Sequence, residues 1–249
     1  MEFERWNNQE DYDKLMDWFN AKAGEPKNYQ KYENAVREAL TDFREVFGLE
    51  REVSFVIAET DIGFLEDKYD EVPDWSYSQG FSASPEWHDL EKPTVFVMAN
   101  DNYEYWKDLL KFVTAHELAH QKFYENHEIG WQIYQKMMFE GHAMHSAEQI
   151  AEEKDYNWLK HEQKTRKIDK EELLAELDKY NTWAGENKEP TSTLFVPGGE
   201  KWQNAEGYPI AFQITEDILE RTERDINDLL EMSFEEWREE TEKSINRYY

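Results

Sequence analysis

Apolar positions recur along the chain with two different periods, and the switches between them divide it into helices and strands. Tyr12, Leu15, Met16 and Phe19 fall on one face of a helix from about Asn8 to Ala23, which Gly24-Glu25-Pro26 breaks. Tyr32, Val36, Ala39, Leu40, Phe43 and Phe47 mark a second helix from about Tyr29 to Phe47, with Gly48 as its C-cap. Val53-Ser54-Phe55-Val56-Ile57 follows as a short strand. Asp70 to Leu90 is rich in Trp, Ser, Pro and Asp and keeps no clear period, so it reads as a long loop, lining a cleft or crossing plain surface. Pro93 to Asn100 is β-branched and apolar, the best strand in the chain, and it ends on the turn signal Asn100-Asp101-Asn102.

Helical spacing then returns. Leu109, Phe112, Val113, His116, Ala119, His120 and Phe123 share one stripe of a helix over Tyr105–Tyr124, with Asp101 as N-cap and Glu104 in capping-box position. A further helix from about Glu128 to Glu153 carries Ile133, Met137, Glu140, Met144, Ala147 and Ala151 on one face. Residues 154–181 are charged and helical in pattern, with Leu173, Leu174, Leu177 and Tyr180 apolar. Glu189 to Gly207 is a Pro/Gly-bearing loop, and a last helical region opens near Tyr208 and runs through Ile214, Ile218 and Leu219. After a break, Ser233-x-x-Glu236 opens a terminal helix with a second capping box.

One stretch of this pattern carries chemistry. His116-Glu117-Leu118-Ala119-His120 is an H-E-x-x-H sequence, for which chance gives roughly 0.03 matches in a chain of this composition. On a helix the two imidazoles leave the same face one turn apart and can grip one ion, zinc being well suited to neutral imidazole. Glu117, beside the first ligand, is placed to take a proton from water without ligating the metal. The blander reading is a pair of core histidines flanking a glutamate. Two imidazoles on a buried stripe next to a carboxylate are costly without a partner, which favours the metal.

A third ligand must come from elsewhere. The extended pattern H-E-x-x-H-x-x-G-x-x-H has Phe123 at its glycine position and Asn126 at its last histidine, so it does not apply. His127, one residue later, reads as an exposed histidine at a helix end. Glu140, 20 positions after His120, is the carboxylate on the apolar stripe of the next helix, and Gly141 beside it lets the two helices approach closely. Glu148 competes from two turns further on. His142 and His145 lie elsewhere on the helix wheel and read as packing or as donors to a bound substrate.

Composition narrows the chemistry. No cysteine is present, which leaves His, Asp and Glu as metal ligands and excludes thiol catalysis. The formal net charge of −28 disfavours a nucleic-acid partner, because the summed field repels phosphate. A charge mimic of nucleic acid rests on that acidity alone. Neither an apolar run of about eighteen residues nor a signal-like N-terminus is present, so a cytoplasmic protein without membrane partners is expected.

His116-Glu117-Leu118-Ala119-His120, Glu140-Gly141-His142-Ala143 and Gly207-Tyr208-Pro209-Ile210-Ala211-Phe212-Gln213-Ile214 together resemble gluzincin-type zinc metallopeptidases. In particular they resemble a family of predicted zinc-dependent proteases catalogued as a domain of unknown function. The resemblance covers roughly residues 93–153 and 207–236. It implies one Zn²⁺ held by His116, His120 and Glu140, with Glu117 as catalytic base and a peptide or protein as substrate. Tyr208 is a candidate donor to the tetrahedral oxyanion. The chain departs from the family pattern in His142, where an aliphatic residue is usual, and in Met144, where the thermolysin-like pattern has Asp.

The expected architecture is α+β, a mainly helical zincin-like domain with a small mixed sheet beside the active-site helix. Residues 1–249 form a single domain in this reading, with an N-terminal helical extension (1–50), the sheet and the two site helices (51–153), an insertion (154–206) and C-terminal helices (207–249). A zincin-like regulatory protein that binds metal without turnover is the alternative.

Overall fold

The computed structural model describes residues 3–4, 23–68, 77–84, 92–127, 133–151, 169–179, 194–195 and 207–249. The fold is α+β and mainly helical, with a small mixed sheet. By compactness the chain divides into two units, Met1–Glu125 with Ser146–Trp158, and Asn126–His145 with Leu159–Tyr249.

The sheet belongs to the first unit. Its strands are β1 (Phe3–Glu4), β2 (Ala23–Gly24), β3 (Ser54–Thr60), β4 (Ser78–Ala83) and β5 (Thr94–Ala99). The order is β1-β3-β5-β4, with β2 also on β3. β3 and β5 run parallel in register from Ser54↔Thr94 to Glu59↔Ala99, and β4 lies antiparallel along the other side of β5. Phe55, Val56, Ile57, Val95, Val97, Met98 and Ala99 are buried. Such unbroken apolar runs, where alternation would be expected of a half-exposed sheet, fit strands covered on both faces. The strand expected at 53–57 thus extends to Thr60. The strand expected at 93–100 is flanked on both sides, so it is not an edge along which a substrate backbone could pair. β4 lies inside the stretch expected to be a loop. Its sequence, Ser-Gln-Gly-Phe-Ser-Ala, has too little β-branching and too much glycine to announce a strand.

Helix α1 (Tyr29–Phe47) matches its apolar pattern end to end. Tyr32, Ala35, Val36, Ala39, Leu40 and Phe43 are buried, and Gly48 closes the helix at φ 63°, where its N–H donates to the Arg44 carbonyl. A short α2 (Ile62–Lys68) follows β3, and α3 (Trp106–Asn126) follows β5. Asn100 makes the corner into α3. Its side-chain amide donates to the Thr60 carbonyl at 2.6 Å and its Oδ1 accepts the Asn102 N–H at 2.9 Å. Asp101 was expected to cap α3, but its carboxylate takes the Lys31 ammonium at 3.0 Å, and α3 begins only at Trp106. The helix is tied to the sheet at its far end, where the Gln121 amide donates to Ser82 Oγ (2.6 Å) and the Ala83 carbonyl (3.0 Å).

Helix α4 (Ile133–Ile150) is one unbroken helix whose residues fall in both units. The second unit continues with α5 (Lys170–Lys179), α6 (Gly207–Thr222), a 3-10 turn at Asp228–Glu231 and α7 (Phe234–Tyr248). Trp237 is fully buried and its indole N–H donates to the Tyr134 carbonyl at 3.0 Å. The buried Asp217 carboxylate of α6 accepts from Ser244 Oγ at 2.6 Å and from Arg247 at 2.7 Å, fastening α7 along α6. Gly141 permits a close crossing of α4 on α6, not on the histidine-bearing helix as its sequence position suggested. A Cβ there would overlap Thr215 Oγ1 and stand 2.7 Å from the Ala211 carbonyl oxygen. The first expected helix, residues 154–168, Tyr180, and most of Asp70–Leu90 and Glu189–Gly207 outside β4 and residues 194–195 lie outside the described residues. Among the described residues no helix is long and apolar enough to cross a membrane.

The Ser233–Glu236 capping box forms as its sequence predicts: Ser233 Oγ accepts the Glu236 N–H at 3.2 Å and Glu236 Oε2 accepts the Ser233 N–H at 2.9 Å. Ser233→Ala is expected to cost about 1 kcal/mol of stability, read as a lower urea midpoint at unchanged slope.

Candidate metal centre

The site is assembled on α3 and α4. On α3, His116 and His120 stand one turn apart, with ring centroids 4.6 Å from each other and planes at 83°. His120 is 5% exposed and His116 half-buried, so both lie on the covered stripe that the apolar spacing defines. On α4, Glu140 is 2% exposed within the row Ile133, Met137, Met144 and Ala147. His116, His120 and Glu140 form a group that could hold a metal ion: one ligand atom from each lies within 4.8 Å of the others. Among the described residues it is the one such group. Two imidazole nitrogens and one carboxylate oxygen are a donor set that suits zinc and leaves a fourth position for water.

Glu117 is buried beside these ligands, and the reason it fits there is on the sheet. A Cβ added to Gly80 of β4 would stand 2.6 Å from Glu117 Cγ and from Val113 Cγ1, and 2.9 Å from Glu117 Oε1. The missing side chain lets the carboxylate lie directly over the strand. No one-dimensional pattern marks Gly80 for this role. Its importance comes from contacts with residues more than thirty positions away, Val113 and Glu117.

Tyr208 is half-buried in the first turn of α6, its ring edge-on to Phe195 at 5.4 Å. Phe195 in turn occupies the space a Cβ on Gly207 would need, and the Gly207 N–H donates to the Leu194 carbonyl at 2.7 Å. His127 is not the exposed histidine its position suggested. It is half-buried, desolvation depresses its pKa, and a backbone hydrogen bond with Leu230 works against that depression. Neither His127 nor Glu148 belongs to the group that could hold a metal ion. His142 is fully buried. His145 stacks on Phe212 at 4.0 Å with planes 6° apart, and its Nε2 meets the Phe212 carbonyl oxygen at 3.1 Å. Burial pulls its pKa down to about 4, so near neutral pH it is an uncharged ring that donates to the carbonyl.

Lys136, which no sequence pattern marks, forms an ion pair through its ammonium with Glu140 Oε1. A lysine on a helix normally reads as a solvated charge, and only its place one turn before a buried carboxylate distinguishes it. No family model, curated protein or solved structure matches the chain.

Two outcomes follow from this geometry. Gly80→Ala should destabilise the chain by about 1–3 kcal/mol through overpacking against Glu117 and Val113, measured by urea unfolding. His145 binds its proton more weakly folded than unfolded. Its contribution is therefore neutral above about pH 6.5 and stability falls as pH drops from there towards 4. His145→Phe, which keeps a stacked ring, should lose less stability over that interval.

Proposed function

We propose that this chain is a zinc-dependent metallopeptidase. The observation that carries the reading is the convergence of His116, His120 and Glu140 within 4.8 Å, with Glu117 next to the first of them on the same helix. His116, His120 and Glu140 would hold one Zn²⁺, which when bound lowers the pKa of water towards roughly 7 and polarises a carbonyl oxygen. Glu117 accepts the proton of the attacking water and returns it to the leaving amine. Its burial over Gly80 fixes the carboxylate in one place, so little reorganisation is needed when the proton moves. Tyr208 is the candidate hydroxyl donor to the developing oxyanion, with Phe195 setting its ring. A base beside an open ligand set has no use in a purely structural metal site, which normally fills all four positions with protein ligands. A peptide or protein substrate is what the resemblance to gluzincin-type metallopeptidases implies.

The test separates metal from turnover. Glu117→Gln should retain zinc at wild-type stoichiometry while hydrolysis of a general peptidase substrate falls by about 10²-fold or more. Glu140→Ala should weaken zinc binding at least about tenfold in a chelator competition. Hydrolysis that persists in the Glu117 variant overturns the assignment of the base. A zinc-loaded wild type without hydrolysis of any peptide would instead make the chain a metal-binding regulatory protein.

A further inference from the structure

Lys136 and Glu140 sit one turn apart on α4, and the lysine ammonium is paired with Glu140 Oε1. The carboxylate side chain is 3% exposed and the lysine side chain 20%, so this is not a solvated i,i+4 surface pair screened by water and salt. Two rings confine the cation. Lys136 Nζ lies 5.1 Å from the Phe139 centroid and 5.9 Å from that of Phe195, within cation–π range. Phe195 is itself fixed by Tyr208 and by the bare Cα of Gly207. The ammonium is therefore built in against a carboxylate that the three-ligand reading needs for metal.

Two consequences of that placement act in the same direction. Without an ion, the ammonium compensates a carboxylate that has left water, which stabilises the metal-free chain. For a divalent cation to take Glu140, the ammonium must give up its pairing with that carboxylate, and as a like charge nearby it opposes the ion. We infer that Lys136 is a gate on the metal: its ammonium holds Glu140 when no ion is bound and is displaced when a divalent cation takes the carboxylate. The inference rests on the proposed three-ligand site and gives that site a built-in limit on its affinity. Zinc is retained only where the surroundings supply it above that threshold.

Zinc binding by chelator competition, with thermal melting of the metal-free proteins, tests the gate in the full-length chain. Lys136→Met, which keeps the apolar stem, should bind zinc about tenfold tighter or more, while its metal-free melting temperature falls. Lys136→Arg retains the charge and should return both readouts towards wild type. A merely structural role would not tighten zinc binding. If the methionine variant does not fold, Lys136→Gln carries the same expected and overturning results. Affinity of the neutral variant within about twofold of wild type, or weaker, overturns the gate. Glu140→Ala distinguishes this failure from a failure of the site. If Glu140→Ala weakens zinc binding and Lys136→Met leaves it unchanged, the gate alone is wrong. If Glu140→Ala binds zinc as wild type does, the three-ligand reading fails and the gate with it.

Discussion

Carboxylates taken out of water are the constraint on which the candidate site depends. Glu117 and Glu140 are both more than nine-tenths buried, and a buried charge persists only where its surroundings compensate it. The chain meets this need in different ways. On α3 the sheet gives up a side chain at Gly80 so that Glu117 can lie over β4. On α4 an ammonium caged by Phe139 and Phe195 meets Glu140. Asp217 shows a third arrangement: Arg221, Arg247 and Ser244 surround it, and the pairing holds α6 to α7. The contrast separates scaffold from candidate site, since Glu140 joins two histidines in a group that could hold a metal ion and Asp217 does not.

What could be read from sequence follows from how local each signal is. The boundaries of α1 emerge from a single apolar stripe and a left-handed glycine, and the start of α7 from a capping box within four residues. The two histidines and Glu140 were legible for the same reason, because helical spacing puts each on an apolar stripe, and Glu117 came from its place in the H-E-x-x-H sequence. The misread features are tertiary. Asp101 has the right residue type for a cap, yet a lysine seventy positions earlier claims its carboxylate. β4 has weak intrinsic propensity and exists because β5 offers it a partner. Gly141 signalled a close helix crossing, but spacing cannot say which helix crosses, and it is α6. Lys136 and Gly80 were passed over because the meaning of each depends on a side chain it touches in the fold.

Helix propensity and site chemistry also compete along α4. Residues 140–145 place Glu, Gly, His, Ala, Met and His in succession, a run in which only Ala and Met combine good helix propensity with an apolar side chain. The helix survives because its neighbours bury it: Met137, Met138, Ala143, Met144 and Ala147 are all covered, and Gly141 is filled by Thr215. Packing carries what local preference does not, as it does for most helices in folded chains.

The glycine on β4 has an implication for anyone altering this protein. Ranked by strand preference alone, Gly80 is the least suitable residue of its strand and an obvious target for thermostabilising substitution. Any replacement would grow into the volume held by the carboxylate opposite. Selection for a sturdier sheet and selection for the present place of Glu117 therefore pull on the same atom position, and a library screened only for heat resistance would have no means of telling which one it had given up.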